Sequence, residues 1–118
     1  GDAWADYTVK LAREFRQKKA SQALVRWEMA NPDEEVVQRV AQYRDEAYKA
    51  IIDRLAPQPE LDATAIAAVI QSAITHLVLI STQRGQTLGI DLRTEEGWKR
   101  IEKAIRRIYT GLDETLAK

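Results

Sequence analysis

Few side chains in this sequence can do chemistry. His76 is the only histidine, and there is no cysteine. One imidazole without thiolates is a poor start for a zinc site, which needs three or four N, S or O donors. No second histidine and no carboxylate pair one turn away completes a set, so no metal is expected. The lack of cysteine also excludes a disulfide and a thiolate nucleophile, and leaves the redox compartment undecided. His76 lies beside Ile74, Leu77 and Val78, with Gln71, Ser72 and Thr75 on the same segment. Two readings follow. It hydrogen-bonds a bound molecule from a cavity wall, or it is a buried or interfacial histidine satisfied by protein; the second is plainer.

Arg44 poses a sharper question. At about 100° per residue it falls in the middle of a face made by Val37, Val40, Tyr48 and Ile51. A guanidinium keeps its proton and must find an acceptor. Either it is a counter-charge for an acidic ligand, or it pairs with Glu28 across the turn at Asn31 and Pro32. The pair is plainer, and it requires the two groups to lie within about 6 Å.

Catalytic patterns are missing. The chain has no G-x-S-x-G, H-E-x-x-H, Walker or Rossmann signature. The acids Asp33, Glu34 and Glu35, and the pair Glu95 and Glu96, stand at helix starts, where the helix dipole accounts for them. No catalytic residue and no cofactor is therefore expected. Trp4, Phe15, Trp27, Tyr43 and Tyr48 form a core or line a cavity for an apolar molecule.

The elements that must position these residues are helices. Trp4, Tyr7, Leu11 and Phe15 recur at helical spacing, predicting a helix from about Asp2 to Lys18. Ser21 is a candidate cap for a second, short helix, although one bent helix is equally compatible. Asn31, Pro32 and Glu34 predict the start of a third, with Asn31 as cap. Its expected buried face is Val37, Val40, Ala47, Tyr48, Ile51 and Leu55. Pro57 and Pro59 end it. A fourth helix runs from about Asp62 to before Gly85, apolar almost all round between Ile74 and Ile80. The last starts at Thr94, which caps it; Gly97 costs helix propensity unless it allows close packing. Trp98, Ile101, Ile105, Ile108 and Leu112 then repeat as a heptad seam. The class is all-α, a bundle of about five helices in one domain.

The last two helices carry more apolar surface than one small chain hides. A second copy is the natural cover, giving a dimeric four-helix bundle. Its expected interface is Ile70, Ile74, Leu77, Trp98, Ile101, Ile105, Ile108 and Leu112, with Trp98 alternatively an anchor inside one chain. The composition fits a globular domain: 118 residues, 45% hydrophobic and 31% charged. Eighteen basic and eighteen acidic residues cancel, so the chain lacks the basic face of a nucleic-acid binder. No signal peptide is visible, and the longest apolar run, Leu77 to Ile80, falls far short of the roughly 20 residues of a membrane span. The expected location is cytoplasmic, without membrane contact.

Two stretches carry a family likeness. "LVRWEMANPDEEVVQRVAQYRDE", Leu24 to Glu46, and "GIDLRTEEGWKRIEKAIRRI", Gly89 to Ile108, resemble the C-terminal regulatory domain of TetR-family transcriptional repressors. The likeness covers nearly the whole chain. It implies a homodimer through the last two helices, and a small-molecule effector in a cavity among the earlier ones. Trp27, Arg44, Tyr48, Gln71, Thr75 and His76 are the candidate ligand contacts. The resemblance also implies DNA binding through an N-terminal helix-turn-helix, and none precedes Asp2. DNA contact is thus expected only through a further N-terminal domain. Effector binding would shift the helices from Asp2 to Leu55, with the last two as a fixed hub. The alternatives are a ligand-free structural dimerisation module and a small helical enzyme.

Overall fold

A computed structural model describes residues 2–117, apart from the side chains of Asp113 and residues 115–117. The helices are α1 (Asp2–Gln17), α2 (Lys19–Ala30), α3 (Glu35–Leu55), α4 (Ala63–Ser81) and α5 (Glu95–Ala117). A two-stranded antiparallel hairpin, β1 (Gln86–Thr87) and β2 (Ile90–Asp91), joins α4 to α5. The all-α class holds.

The centre of the fold is α1, which packs against α5, α4, α2 and α3. Its buried stripe is Trp4, Ala5, Thr8, Val9 and Ala12. The larger Tyr7, Leu11 and Phe15, expected to line the inward side, are only half-buried on its flank. Small residues let neighbouring backbones approach, so the closest packing follows Ala and Thr rather than the aromatics. The α1–α5 seam is tied at several points. Thr8 Oγ1 donates to the Trp4 carbonyl at 2.9 Å and lies 2.8 Å from the Tyr109 hydroxyl. The Trp4 and Tyr109 rings meet at 4.7 Å. Arg13 forks onto Glu102 at 2.9 and 2.7 Å, and Arg106 reaches Asp6 at 2.6 Å. Arg16 sits 4.5 Å over the Trp98 ring and pairs with Glu95.

α1 and α2 are separate helices, broken at Lys18 (φ −101°, ψ 87°). The expected cap, Ser21, lies inside α2 and does not start it. Gln22 stabilises the break instead. Its buried amide donates to the carbonyls of Phe15 and Arg16 at 2.8 and 3.1 Å, acceptors that the end of α1 would otherwise orphan.

The expected start of α3 is also corrected. Asn31 closes α2: its backbone N–H donates to Glu28, and its side chain donates to the Trp27 carbonyl at 2.9 Å. Pro32 and Asp33 form a turn, and α3 begins at Glu35 with Glu34 at the cap position and no side-chain cap bond. The face of α3 differs too. Val37 and Ile52 are buried, whereas Val40 is 41% exposed and Ala47 is exposed. α3 packs on α4 and α1, and these do not cover its N-terminal half.

Asp62 caps α4 by accepting from the Ala65 N–H. Ala63, Ala67, Ile70, Ile74 and Val78 face the core. Ala65, Ala68, Val69, Ser72, Ala73 and His76 face outward, and the whole helix lacks Asp, Glu, Lys and Arg. Uninterrupted apolar runs understate it: with mean hydropathy 1.9 it is long and apolar enough to cross a membrane, by length and composition. One third of its most apolar window, 33%, is buried in the fold, and its outward side carries the polar Ser72 and His76.

The hairpin turns at Leu88 and Gly89, both with positive φ (49° and 79°). Such two-residue turns favour Asn-Gly or Asp-Gly. A leucine in left-handed backbone costs roughly 1–2 kcal/mol. Thr94 caps α5 as expected, accepting from the Gly97 N–H at 3.0 Å. Gly97 earns its place by contact: a Cβ there would overlap the Asp91 carbonyl. Trp98 Nε1 donates to the Leu92 carbonyl at 2.7 Å.

The result is a slab, 43 × 36 × 19 Å, with a radius of gyration of 15.2 Å. A compact chain of this length would have about 13.5 Å. Its accessible surface is 8031 Å², about 1,500 Å² more than a compact monomer of this mass exposes.

Candidate functional site

Gln71, half-buried in the middle of α4, stands where four open clefts adjoin. The first, about 370 Å³, runs between α3 and α4 past Tyr48, Ile52, Ala67 and Ser72. The second, about 480 Å³, lies among α1, α2, α3 and α4 beside Leu11, Phe15, Leu24, Arg44 and Thr75. The third, about 330 Å³, is walled by Tyr7, Leu11, Tyr48 and Ile51. The fourth, about 280 Å³, passes Met29, Thr75, His76 and Leu79. The first three volumes fall in the lower part of the range for small-molecule sites, and the fourth lies just below it.

The polar groups here are few and specific. Tyr48 stacks on Tyr7 with ring centroids 6.2 Å apart, and its hydroxyl lies 3.5 Å from Gln71 Oε1, a long contact that leaves both groups room for another partner. Burial pushes the Tyr48 phenol up to about 12, and Tyr109 and Tyr7 add to the rise. It stays protonated at neutral pH and acts as a donor. Burial, with the Glu14 carboxylate behind it, also raises Tyr7. Among the described residues, no group of three or more His, Cys, Asp or Glu side chains gathers as a metal site would require.

Arg44 forks onto Glu28 at 3.0 and 2.6 Å. The bond to Arg44 holds the Glu28 carboxyl below its ordinary value, and the same bond raises Arg44. Of its two readings, the ion pair is the one found. Its charge is therefore balanced within the protein, although its stem still borders two of the clefts.

Five of the six candidate ligand contacts meet here: Arg44, Tyr48, Gln71, Thr75 and His76. Trp27 does not. It is 46% exposed and lines none of the four clefts. Its carbonyl accepts from Asn31 at the end of α2. His76 is exposed beside Met29 rather than buried. Asp45, which borders three clefts, was not singled out by its sequence context, a plain run of polar helix residues.

The residues expected at a dimer interface divide in two. Ile70, Ile74, Trp98 and Ile105 are buried in the chain's own core, so a second copy could gain almost no area from them. For Trp98 this is the intrachain anchor. Leu77, Ile101 and Leu112 are half-buried, and Ile108 is 51% exposed. On these helices the uncovered apolar surface includes Ile108 of the expected seam, with Ala104 on α5 and Val69 (71% exposed) and Ala73 on α4 one step round from it.

Comparison with family models, with curated proteins and with solved structures finds no match for this chain.

Proposed function

We propose that this chain is the effector-binding and homodimerisation domain of a TetR-like transcriptional repressor, working in the cytoplasm. One observation carries the reading. The chain leaves apolar surface uncovered in two ways, in clefts around Gln71 and as exposed side chains on the outward sides of α4 and α5. Clefts suit a small molecule, and exposed apolar helix faces suit another protein.

The effector is a compact, largely apolar molecule with a hydrogen-bonding group for Gln71, Tyr48 or Thr75. An acidic effector is disfavoured, because Glu28 already neutralises Arg44. Binding would act by population shift, favouring one placement of α2 and α3 over another. The moving part is smaller than the span from Asp2 to Leu55, since α1 is tied to α5 by ring contacts and ion pairs. Transmission to DNA would pass to a helix-turn-helix domain attached at the N-terminal side.

A ligand-free dimerisation module is the second reading. The observation in its favour is that the clefts are open and separate rather than one enclosed cavity. Two measurements test the pair. Sedimentation should give a two-chain mass, and a monomer at high micromolar concentration overturns both readings. A thermal-shift screen of neutral, cationic and acidic compounds should find a stabilising ligand, worth roughly 2.7 kcal/mol at a hundredfold excess over Kd. That shift should vanish in Gln71→Leu. A dimer with no hit leaves the structural module standing.

A further inference from the structure

Asp45 and Gln71 are the two residues common to the first three clefts. Most charges along these walls are cancelled by a neighbour. In the first cleft Lys49 pairs with Asp53 at 3.0 Å. In the second and third, Arg44 is forked onto Glu28. Glu14 and Lys18 both border the second and offset each other in sign. Asp45 is left over. Its carboxylate makes no hydrogen bond or ion pair among the described residues. The bond to Glu28 raises Arg44, and the Asp45 carboxylate adds to that rise. One positive charge on α3 therefore answers two negative ones, and the residual charge of the walls is negative.

The surface beside that charge is aromatic and aliphatic. In the third cleft Asp45 shares the wall with Tyr7, Leu11, Tyr48 and Ile51. The Tyr7 and Tyr48 rings are stacked, with centroids 6.2 Å apart. Ring faces attract a cation through their quadrupole, and a carboxylate attracts one through its charge. The hydrogen-bonding capacity has the same bias. An ionised carboxylate only accepts, and Gln71 Oε1, which Tyr48 reaches only at 3.5 Å, is a second acceptor with room for a donor. An ammonium group brings donors and a positive charge together.

We propose that the clefts around Gln71 take an organic cation, with one ammonium group at Asp45 and an apolar body against Tyr48 and Leu11. This rests on the effector-binding reading above and narrows its ligand class. Arg44 does not oppose such a ligand, because Glu28 holds and neutralises it.

The test uses three probes that share one body and differ in charge at neutral pH: phenylbutylamine, phenylbutanol and phenylbutyrate. In calorimetric titration of the whole chain, the amine should bind about three- to tenfold more tightly than the alcohol. That is the gain from one partly screened ion pair with a cation–π contact. The butyrate should bind weakest. Asp45→Asn changes an exposed, unbonded side chain. It should keep the melting temperature and the alcohol affinity, and bring the amine within about twofold of the alcohol. Glu46→Gln, an exposed acid that lines none of the clefts, should leave the amine preference intact. Equal binding of amine and alcohol, or a preference that survives Asp45→Asn, overturns the cation site and leaves the cleft standing. Failure of all three probes to bind overturns the cleft itself, a separate and recognisable result.

Discussion

α1, α4, α5 and the hairpin form one kind of structure, and α2 with α3 forms another. The first group holds most of the buried side chains, including Trp4, Val9, Ile74, Val78, Trp98 and Tyr109. Across all of α2 and α3, only Gln22, Val37 and Ile52 are buried. That limb exposes Leu24, Trp27, Met29, Val36, Val40 and Tyr43. Its polar links to the rest are few, Gln22 to the end of α1, Arg26 to Thr82 and the Leu79 carbonyl, and Tyr48 to Gln71, while Arg44 and Glu28 tie α3 to α2 within the limb. Packed apolar area is lost only when a whole element leaves, whereas isolated polar links break one at a time. The limb therefore opens at lower free energy than the slab behind it.

The most severe way to break this contrast is Trp98→Ala. The ring is buried, and its N–H is bonded to Leu92. The expected loss is about 3–5 kcal/mol in denaturant unfolding. A loss below 1 kcal/mol would mean that the slab is not the stable half. Next comes Thr8→Val, which leaves the buried Tyr109 hydroxyl without its partner. Here the expected loss is about 1–3 kcal/mol.

Glu28→Gln probes the limb. Its partner Arg44 has a 48% exposed side chain, so solvent screens the pair and the expected loss is about 1 kcal/mol or less. Hydrogen exchange in α2 and α3 should quicken while α1 and α5 hold their protection. The pair also gives a pH signature. The folded Glu28 carboxyl is depressed by Arg44. Its contribution is therefore complete above the unfolded value, about 4.3, and is lost as pH falls through the lower folded value. The Gln variant should show a flatter acid limb below about pH 5. Smallest of all is Tyr43→Ala. With 80% of the residue exposed, it should move stability by no more than about 0.5 kcal/mol. A larger effect in a dilute monomer would show that the limb is packed more tightly than this contrast allows.

Long-period signals were legible in the sequence. The helix spacing, the two prolines after α3, the Asp62 and Thr94 starts and the tight fit at Gly97 all appear where local chemistry dictates them. What escaped were choices made between neighbours. Asn31 can serve either adjoining helix, and the orphan carbonyls of α2 claimed it. Gln22 looks like a surface residue until the break at Lys18 supplies acceptors for it. The inward face of α1 is written in Ala and Thr, which hydrophobic spacing does not count. Of the candidate contacts, Tyr48 and Gln71 lie half-buried at the clefts, whereas Arg44 is exposed and turned to Glu28. Trp27, named from the family resemblance, lies outside the four clefts because the side of α2 that carries it is left uncovered.

The outward face of α4 has a consequence for who assembles with whom. A surface with no formal charge from Ala63 to Ser81 offers nothing to repel a near relative, and selectivity between partners rests heavily on such repulsion. A pairing through this face, as proposed above, would have no charge with which to refuse a chain bearing a similarly uncharged helix.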